Sequence, residues 1–453
     1  MKKYIIITIL ALYAISGWTQ TQFSAYFMKD LSISSQLNPS YNSTYGYLSM
    51  PIIGNVGYGM NVAGSSPLKL LKAISGTDLY NDNLYDALSD ETKLGLSLRT
   101  DILNLGFTKG NGFWTVNAAL RGQFNSTIPK SFIDYFRNTM IYDESYGSDY
   151  STDIDIQNFN MNINAYGEIG VGYSHKLNEN LSVGGRIKLL LGFIDLNMQI
   201  DRMNLKMNLP SDPYDESTWV GNPEYGGYAE TDANIRSAYG KGTALDFDES
   251  GRLQGLDFGS FGIAGYGVGF DLGVSYSPIE RLNLYASALD MGMIKWKESS
   301  VSMAETNSSE SVNITQDNFE QYLEDDIFNP DMFSMQKKKS EGYKTKLNTT
   351  LMIGGEYKLG TYKQFGVGAI YSGLFRNGNM NSVITITGNI MDKKGNNGLS
   401  LSFSNIQKHG NSLGATIKFG KSFIYADYTL SGVAANTFSV MVGSYFILGK
   451  KTD

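Results

Sequence analysis

The stretch GYGVGFDLGVSYS, Gly265 to Ser277, sorts its residues strictly by parity. One set of alternate positions holds Gly265, Gly267, Gly269, Asp271, Gly273 and Ser275; the other holds Tyr266, Val268, Phe270, Leu272, Val274 and Tyr276. A period of two is the mark of a strand, because successive side chains point to opposite faces. A half-buried strand of a soluble sheet alternates too, but here the length and the ends add information. The roughly ten residues from Tyr266 to Tyr276 reach about 33 Å at about 3.3 Å each. Tilted by about 45°, they cover the apolar band of about 25 Å of a membrane barrel, with an aromatic residue at each edge. The small, polar face then looks into a lumen.

The alternation recurs in fourteen segments, near residues 47–63, 94–109, 112–125, 158–176, 181–205, 256–278, 282–298, 344–359, 363–374, 382–391, 398–406, 413–420, 423–431 and 438–448. Leu94, Leu96 and Leu98 alternate with Ser97, Arg99 and Asp101, and Leu399, Leu401 and Phe403 with Ser400, Ser402 and Ser404. An even count suits a bacterial barrel. The joins 109–112, 177–181, 277–282, 359–363 and 420–422 are short and rich in Gly, Asn or Pro, whereas 64–93, 126–157, 206–255 and 299–343 are long. Tight turns at one end and long loops at the other are the expected asymmetry of an outer-membrane barrel. The reading is therefore an all-β fold: a transmembrane antiparallel barrel of about fourteen strands. Short helices are expected in the outer loops, in SPLKLLKAISG, PKSFIDYFRNTM and QDNFEQYLEDDIF.

Composition agrees. The 50 glycines and 13% aromatics are high for a soluble chain, and alternation hides an apolar face behind a modest 42% hydrophobic content. Residues 1–19 read as a signal peptide, with Lys2 and Lys3 ahead of a short apolar run and no Cys after it. Residues 20–46 precede the first strand without strong alternation, and 47–453 form the barrel. With no cysteine, thiolate chemistry and Cys-based metal sites are excluded. A net charge of −7 without a basic stripe argues against nucleic acid. The two histidines, His175 and His409, sit in no HExxH or GxSxG context, so no enzyme, cofactor or metal site is expected. Asp143, Glu144, Asp149, Asp153 and Asp155 make an acidic loop without EF-hand spacing, which reads as solvated rather than calcium-binding. The last strand, with Gly443, Phe446 and Leu448 close to the chain end, resembles the signal read by the barrel-assembly machinery.

The order YF, LNP, GY…P…GN between residues 26 and 55, followed by GFWTVNAALRGQFNSTIPKSFIDYFRN, AYGEIGVGYSHKLNENLSVGGRIKLLLG and GYGVGFDLGVSYSPIERLNLYASALDMGMIKW, resembles a family of uncharacterised outer-membrane barrels from Bacteroidota. That family looks related to the FadL-like long-chain fatty-acid transporters. The resemblance implies a fourteen-stranded barrel in the outer membrane of a Gram-negative bacterium, with residues 20–46 as an N-terminal plug whose motif is Leu37, Asn38 and Pro39. It implies no substrate; the leading expectation is passive transport of a small hydrophobic or amphipathic solute across the outer membrane. The partners it implies are outer-membrane lipid, the barrel-assembly machinery and a hydrophobic ligand. The rival reading is a non-transporting scaffold for a surface or secretion protein. By parity, Arg99, Asp101, Arg121, Glu168, Arg186, Lys188, Asp271, Glu356, Lys418 and Asp427 face the lumen. Such a mixed-charge lining departs from a greasy tunnel, and is expected to pair with itself or with the plug.

Overall fold

The computed structural model describes residues 22–28, 30–50, 54–63, 85–86, 88–139, 150–209, 216–219, 225–240, 244–313, 315–316, 335–360, 364–376, 379–407, 410–431 and 436–449. Residues 1–19, read above as a signal peptide, the acidic-loop residues Asp143, Glu144 and Asp149, His409, and the loop stretches SPLKLLKAISG and 317–328 lie outside them.

Fourteen antiparallel strands close into a barrel. The first comes in two pieces, Gly46–Ser49 and Val56–Ala63. Then follow Glu91–Lys109, Gly112–Pro129, Tyr150–Lys176, Leu181–Leu209, Gly265–Ile279 and Leu282–Trp296. The eighth is Lys344–Lys346 with Thr349–Leu359, and Phe365–Arg376, Asn379–Met391, Asn397–Ile406, Gly410–Phe419 and Ser422–Ser431 come next. The last, Asn436–Ser444 with Phe446–Leu448, closes the ring: Val56↔Val442 and Gly46↔Leu448 pair it with the first. Closure leaves no unpaired edge in the apolar band, the condition for a sheet to sit in lipid.

Parity holds along Gly265–Ile279. Tyr266, Val268, Phe270, Leu272, Val274 and Tyr276 are all exposed, while Gly269, Asp271 and Gly273 are buried. Ile353, Ile384, Ile386, Leu401, Phe403 and Ile417 extend the exposed apolar face around the barrel. Such a belt is stable only against hydrocarbon.

At the long-loop end the barrel continues above this belt. Tyr150–Lys176 and Leu181–Leu209 run 27 and 29 residues, far more than a span of about ten needs. Gly226–Tyr239 pairs with Ile194–Asn208, and Val301–Asn313 pairs with Gly226–Ala238 along its full length. Connections read as loops are thus partly strand. Their sequences, such as VSMAETNSSESVN, carry polar residues on both faces, because no lipid requires an apolar one there. In this extension the outward-parity residues Leu94, Leu96, Phe124, Met161, Leu196 and Ile200 are buried in one core. Phe132 and Ile133 of the helix Lys130–Thr139 pack on that core, with Phe132 stacked on Phe159 at 4.3 Å. At the opposite end the strands join through tight turns, where Gly110, Gly360, Gly395 and Gly420 take positive φ of 61°, 79°, 69° and 60°.

Candidate functional site: the barrel interior and the N-terminal segment

The described residues of 22–45 contribute no strand. They make two short helical turns, Phe23–Ala25 and Ser34–Leu37, and are almost wholly buried. Their partners sit on strands around the ring. Ser24 Oγ meets Thr416 Oγ1 at 2.7 Å, Asn104 Nδ2 donates to the Ser32 carbonyl at 2.6 Å, and Arg186 donates to the Ser35 carbonyl at 2.9 Å. Ser287 Oγ donates to the Leu37 carbonyl at 3.1 Å, and Ser174 Oγ to that of Ser40 at 2.8 Å. Met28, Leu31, Ile33 and Leu37 pack on Phe423, Tyr425 and Met441, and Phe27 against Tyr285 and Ile370.

Leu37, Asn38 and Pro39 occupy the tightest contact. Asn38 Oδ1 accepts from the Ser40 amide at 3.0 Å and its hydroxyl at 2.7 Å, a local turn that fixes the segment's exit. A Cβ on Gly273 would lie 2.1 Å from Asn38 Oδ1, and one on Gly184 2.1 Å from the Pro39 carbonyl oxygen. The bare face of Gly265–Ile279 is where the backbone of this segment presses on the wall.

The charged lining on the strands of the first half of the barrel forms a six-residue ion-pair network and a separate Arg99–Asp101 pair. Arg121 pairs with Glu168 at 2.8 Å and with Asp290 at 3.4 Å. Lys188 pairs with Asp290 at 2.6 Å and Asp271 at 2.7 Å, and lies 3.9 Å from Glu168. Arg186 lies 3.6 Å from Asp271, and Arg99 3.2 Å from Asp101. Arg99 also donates to Gln36 of the N-terminal segment, and Gln36 Nε2 to Asp101 at 3.0 Å. The four cations Arg99, Arg121, Arg186 and Lys188 match the four anions Asp101, Glu168, Asp271 and Asp290, so each charge in this part of the wall has a counter-charge.

Two members escaped the sequence reading. Asp290 has a φ of 58° beside the register shift between Phe270 and Leu272, and its amide donates to Asp271 at 2.7 Å. Asp is among the residue types that tolerate this backbone, the one hint available in LDMGM. Gln36 carried no hint.

The remaining expected lining residues lie elsewhere on the wall. Glu356 accepts from Asn389 at 2.8 Å, Lys418 donates to the Gly395 carbonyl at 2.9 Å, and Asp427 receives Ser412 at 3.4 Å; all three are buried. Around Asp427 the wall is hydroxylic: Thr385, Ser400, Ser402, Ser404, Thr416 and Ser439 are buried on neighbouring strands. A cavity of about 280 Å³ opens at the tight-turn end between the segment and the wall, bounded by Phe27, Asp30, Tyr45, Glu356, Phe365 and Asp392.

Gly443 is buried, and a Cβ there would sit 2.2 Å from Asn55 Oδ1, whereas Phe446 and Leu448 are exposed on the last strand. His175 meets the Tyr173 hydroxyl at 3.2 Å on the surface. Asp153 pairs with Lys206 at 3.0 Å and Asp155 accepts from Gln157 at 2.7 Å, and among the described residues no three or more of His, Cys, Asp and Glu cluster as metal ligands.

A closed fourteen-stranded antiparallel barrel with a lipid-facing apolar belt defines the class: a β-barrel membrane protein. Within that class the chain belongs to the family of unknown function DUF5723, which it matches over residues 39–427. No curated protein matches the sequence. Among solved structures, a TodX deltaS2S3 mutant monoaromatic hydrocarbon channel is similar at 9% identity over 96% of both chains, with a TM-score of 0.45. The Pseudomonas putida toluene transporter TodX is similar at 9% over 95% of both, TM-score 0.42. A Pseudomonas aeruginosa FadL homologue is similar at 9% over 95% of this chain and 99% of that one, TM-score 0.43. The barrel assignment rests on the closed strand register rather than on these likenesses.

Proposed function

We propose that this protein sits in the outer membrane of a Gram-negative bacterium and passively passes a small amphipathic solute, with residues 22–45 as the plug that closes the lumen. One observation carries the reading. Strand pairing closes the barrel without any contribution from the described residues of this segment, whose hydrogen bonds to the wall each use a side chain rather than a strand ladder. A filling that the wall does not need for its own integrity can shift without unfolding the barrel. The solute class follows from the lining: a charge-matched, hydrogen-bonding wall suits a solute with a polar part, and a purely apolar one would have to desolvate that wall.

A second reading, a scaffold for a surface or secretion protein, is favoured by the strand-built extension beyond the belt. Conductance in a planar bilayer separates the two. The mature chain is expected to be nearly silent, and a chain lacking residues 20–46 to give steady, salt-proportional steps. Equal silence from correctly inserted truncated protein would end the transport reading and leave the scaffold.

A further inference from the structure

We propose that Asp427, with the hydroxyls of Ser402, Ser439 and Ser24, forms a binding site for a monovalent cation of the sodium or potassium class, and that the ion ties the N-terminal segment to this wall. Asp427 projects inward from Ser422–Ser431 and is 2% exposed. In register it stands between Gly414 and Ser439, and Ser402 lies across from Gly414. Glu168, Asp271 and Asp290 each have an Arg or Lys within 2.8 Å. Asp427 differs: no ion pair reaches it among the described residues. Its Oδ1 accepts no hydrogen bond of ordinary geometry and Oδ2 receives a 3.4 Å contact from Ser412; the buried Tyr425 hydroxyl also faces the carboxyl, so every neighbour is a neutral donor. An ionised carboxylate buried in this way is strongly disfavoured unless a cation accompanies it, and carboxylates inside membrane proteins mark ion sites.

The surroundings supply the other ligands. The Oγ atoms of Ser402 and Ser439 are themselves buried without partners. Gly414 keeps the space between them open: a Cβ there would lie 2.5 Å from Ser402 Oγ, 2.8 Å from Asp427 Oδ2 and 3.6 Å from Ser24 Oγ. Oxygens of Ser402 and Asp427 on two wall strands and of Ser24 on the N-terminal segment therefore converge over a bare Cα, with Ser439 opposite Asp427 in register on a third strand. An oxygen-only set selects a hard cation over a transition metal. A single carboxylate balances one positive charge, and calcium or magnesium sites recruit more carboxylates or substrate phosphates. The site stands on the wall whether or not the segment gates transport.

The test compares the intact mature protein in detergent in NaCl, KCl and N-methyl-D-glucamine chloride at one ionic strength, reading unfolding temperature by heat-modifiable gel mobility. The small cations should raise it by several degrees, increasingly with concentration, as a ligand bound only to the folded state does. Asp427→Asn should remove the difference and be as stable in the bulky cation as the parent is in NaCl; Gly414→Ala, which fills the gap, should remove it too. Thallous ion soaked into crystals, read by anomalous scattering, should appear beside Asp427. Equal stability of the parent chain in all three salts would overturn the proposal. So would a cation effect that survives Asp427→Asn.

Discussion

Gly184 and Gly273 face each other in register on adjacent strands, and Asn38–Pro39 of the N-terminal segment rests on both. A side chain at either place would have to push the segment off the wall. Gly273→Val is expected to open the lumen, seen as more frequent conductance steps and as cleavage of the segment by added protease. Gly388→Ala, where a Cβ would meet nothing, is the control and should behave as the parent. Unchanged conductance and protection in Gly273→Val would show that the segment does not depend on this contact.

Lys188 holds Asp271, Asp290 and Glu168 together, and its side chain is 2% exposed. Lys188→Met removes the nearest cation of Asp271, leaving it Arg186 at 3.6 Å, and leaves Arg121 to serve both Glu168 and Asp290. Stranding a buried partner costs about 3–5 kcal/mol. Unfolding in urea from detergent or vesicles should register a loss of that order. A loss under about 1 kcal/mol would mean that water already serves these carboxylates.

Leu272 projects into the apolar belt between the tyrosines of its strand and is 57% exposed. Leu272→Arg should destabilise the barrel in lipid by about 2–4 kcal/mol, the cost of arginine near the bilayer midplane. A negligible cost would place this face in water and contradict the membrane reading.

Asp392 caps the tight turn after Asn379–Met391, accepting from the amides of Asn396 at 2.8 Å and Asn397 at 3.0 Å. Desolvation pushes its carboxyl up, but those hydrogen bonds outweigh it and hold the carboxyl below its ordinary value. With the folded value depressed, the turn's stabilisation is present above the unfolded value of about 3.9 and fades as pH falls through the lower folded value. The carboxyl carbon shift in NMR should titrate with a midpoint below 3.9; a midpoint at or above it would deny the cap.

How much of this was legible in the sequence depended on what enforced each pattern. Lipid enforces alternation, so the strand from Tyr266 to Tyr276 and its face assignment could be read directly. Above the belt that enforcement ends. Gly226–Tyr239 and Val301–Asn313 alternate weakly and pass for loop, and Leu94 and Leu96 keep the outward parity yet are buried under protein. Asp290 entered the ion-pair network through a backbone irregularity that periodicity cannot register. Charges such as Lys188 and Asp271 could be assigned a face, but their partners lie on strands distant in sequence, so which cation meets which carboxylate needed the register. The small residues of the wall were visible as a set. That Gly273 is bare because Asn38 and Pro39 press on it was not, since nothing local links positions so far apart.

The seating of the N-terminal segment inside the barrel is tested most directly through Ser40 and Ser275, whose hydroxyl oxygens are 2.5 Å apart. The chain has no cysteine, so Ser40→Cys with Ser275→Cys introduces a single pair close enough for a disulfide. The account predicts near-complete cross-linking in the intact, inserted protein, silence in the bilayer while it is oxidised, and conductance events that rise on reduction. A pair that never cross-links in folded protein, or a cross-linked protein that conducts like the reduced one, would contradict it.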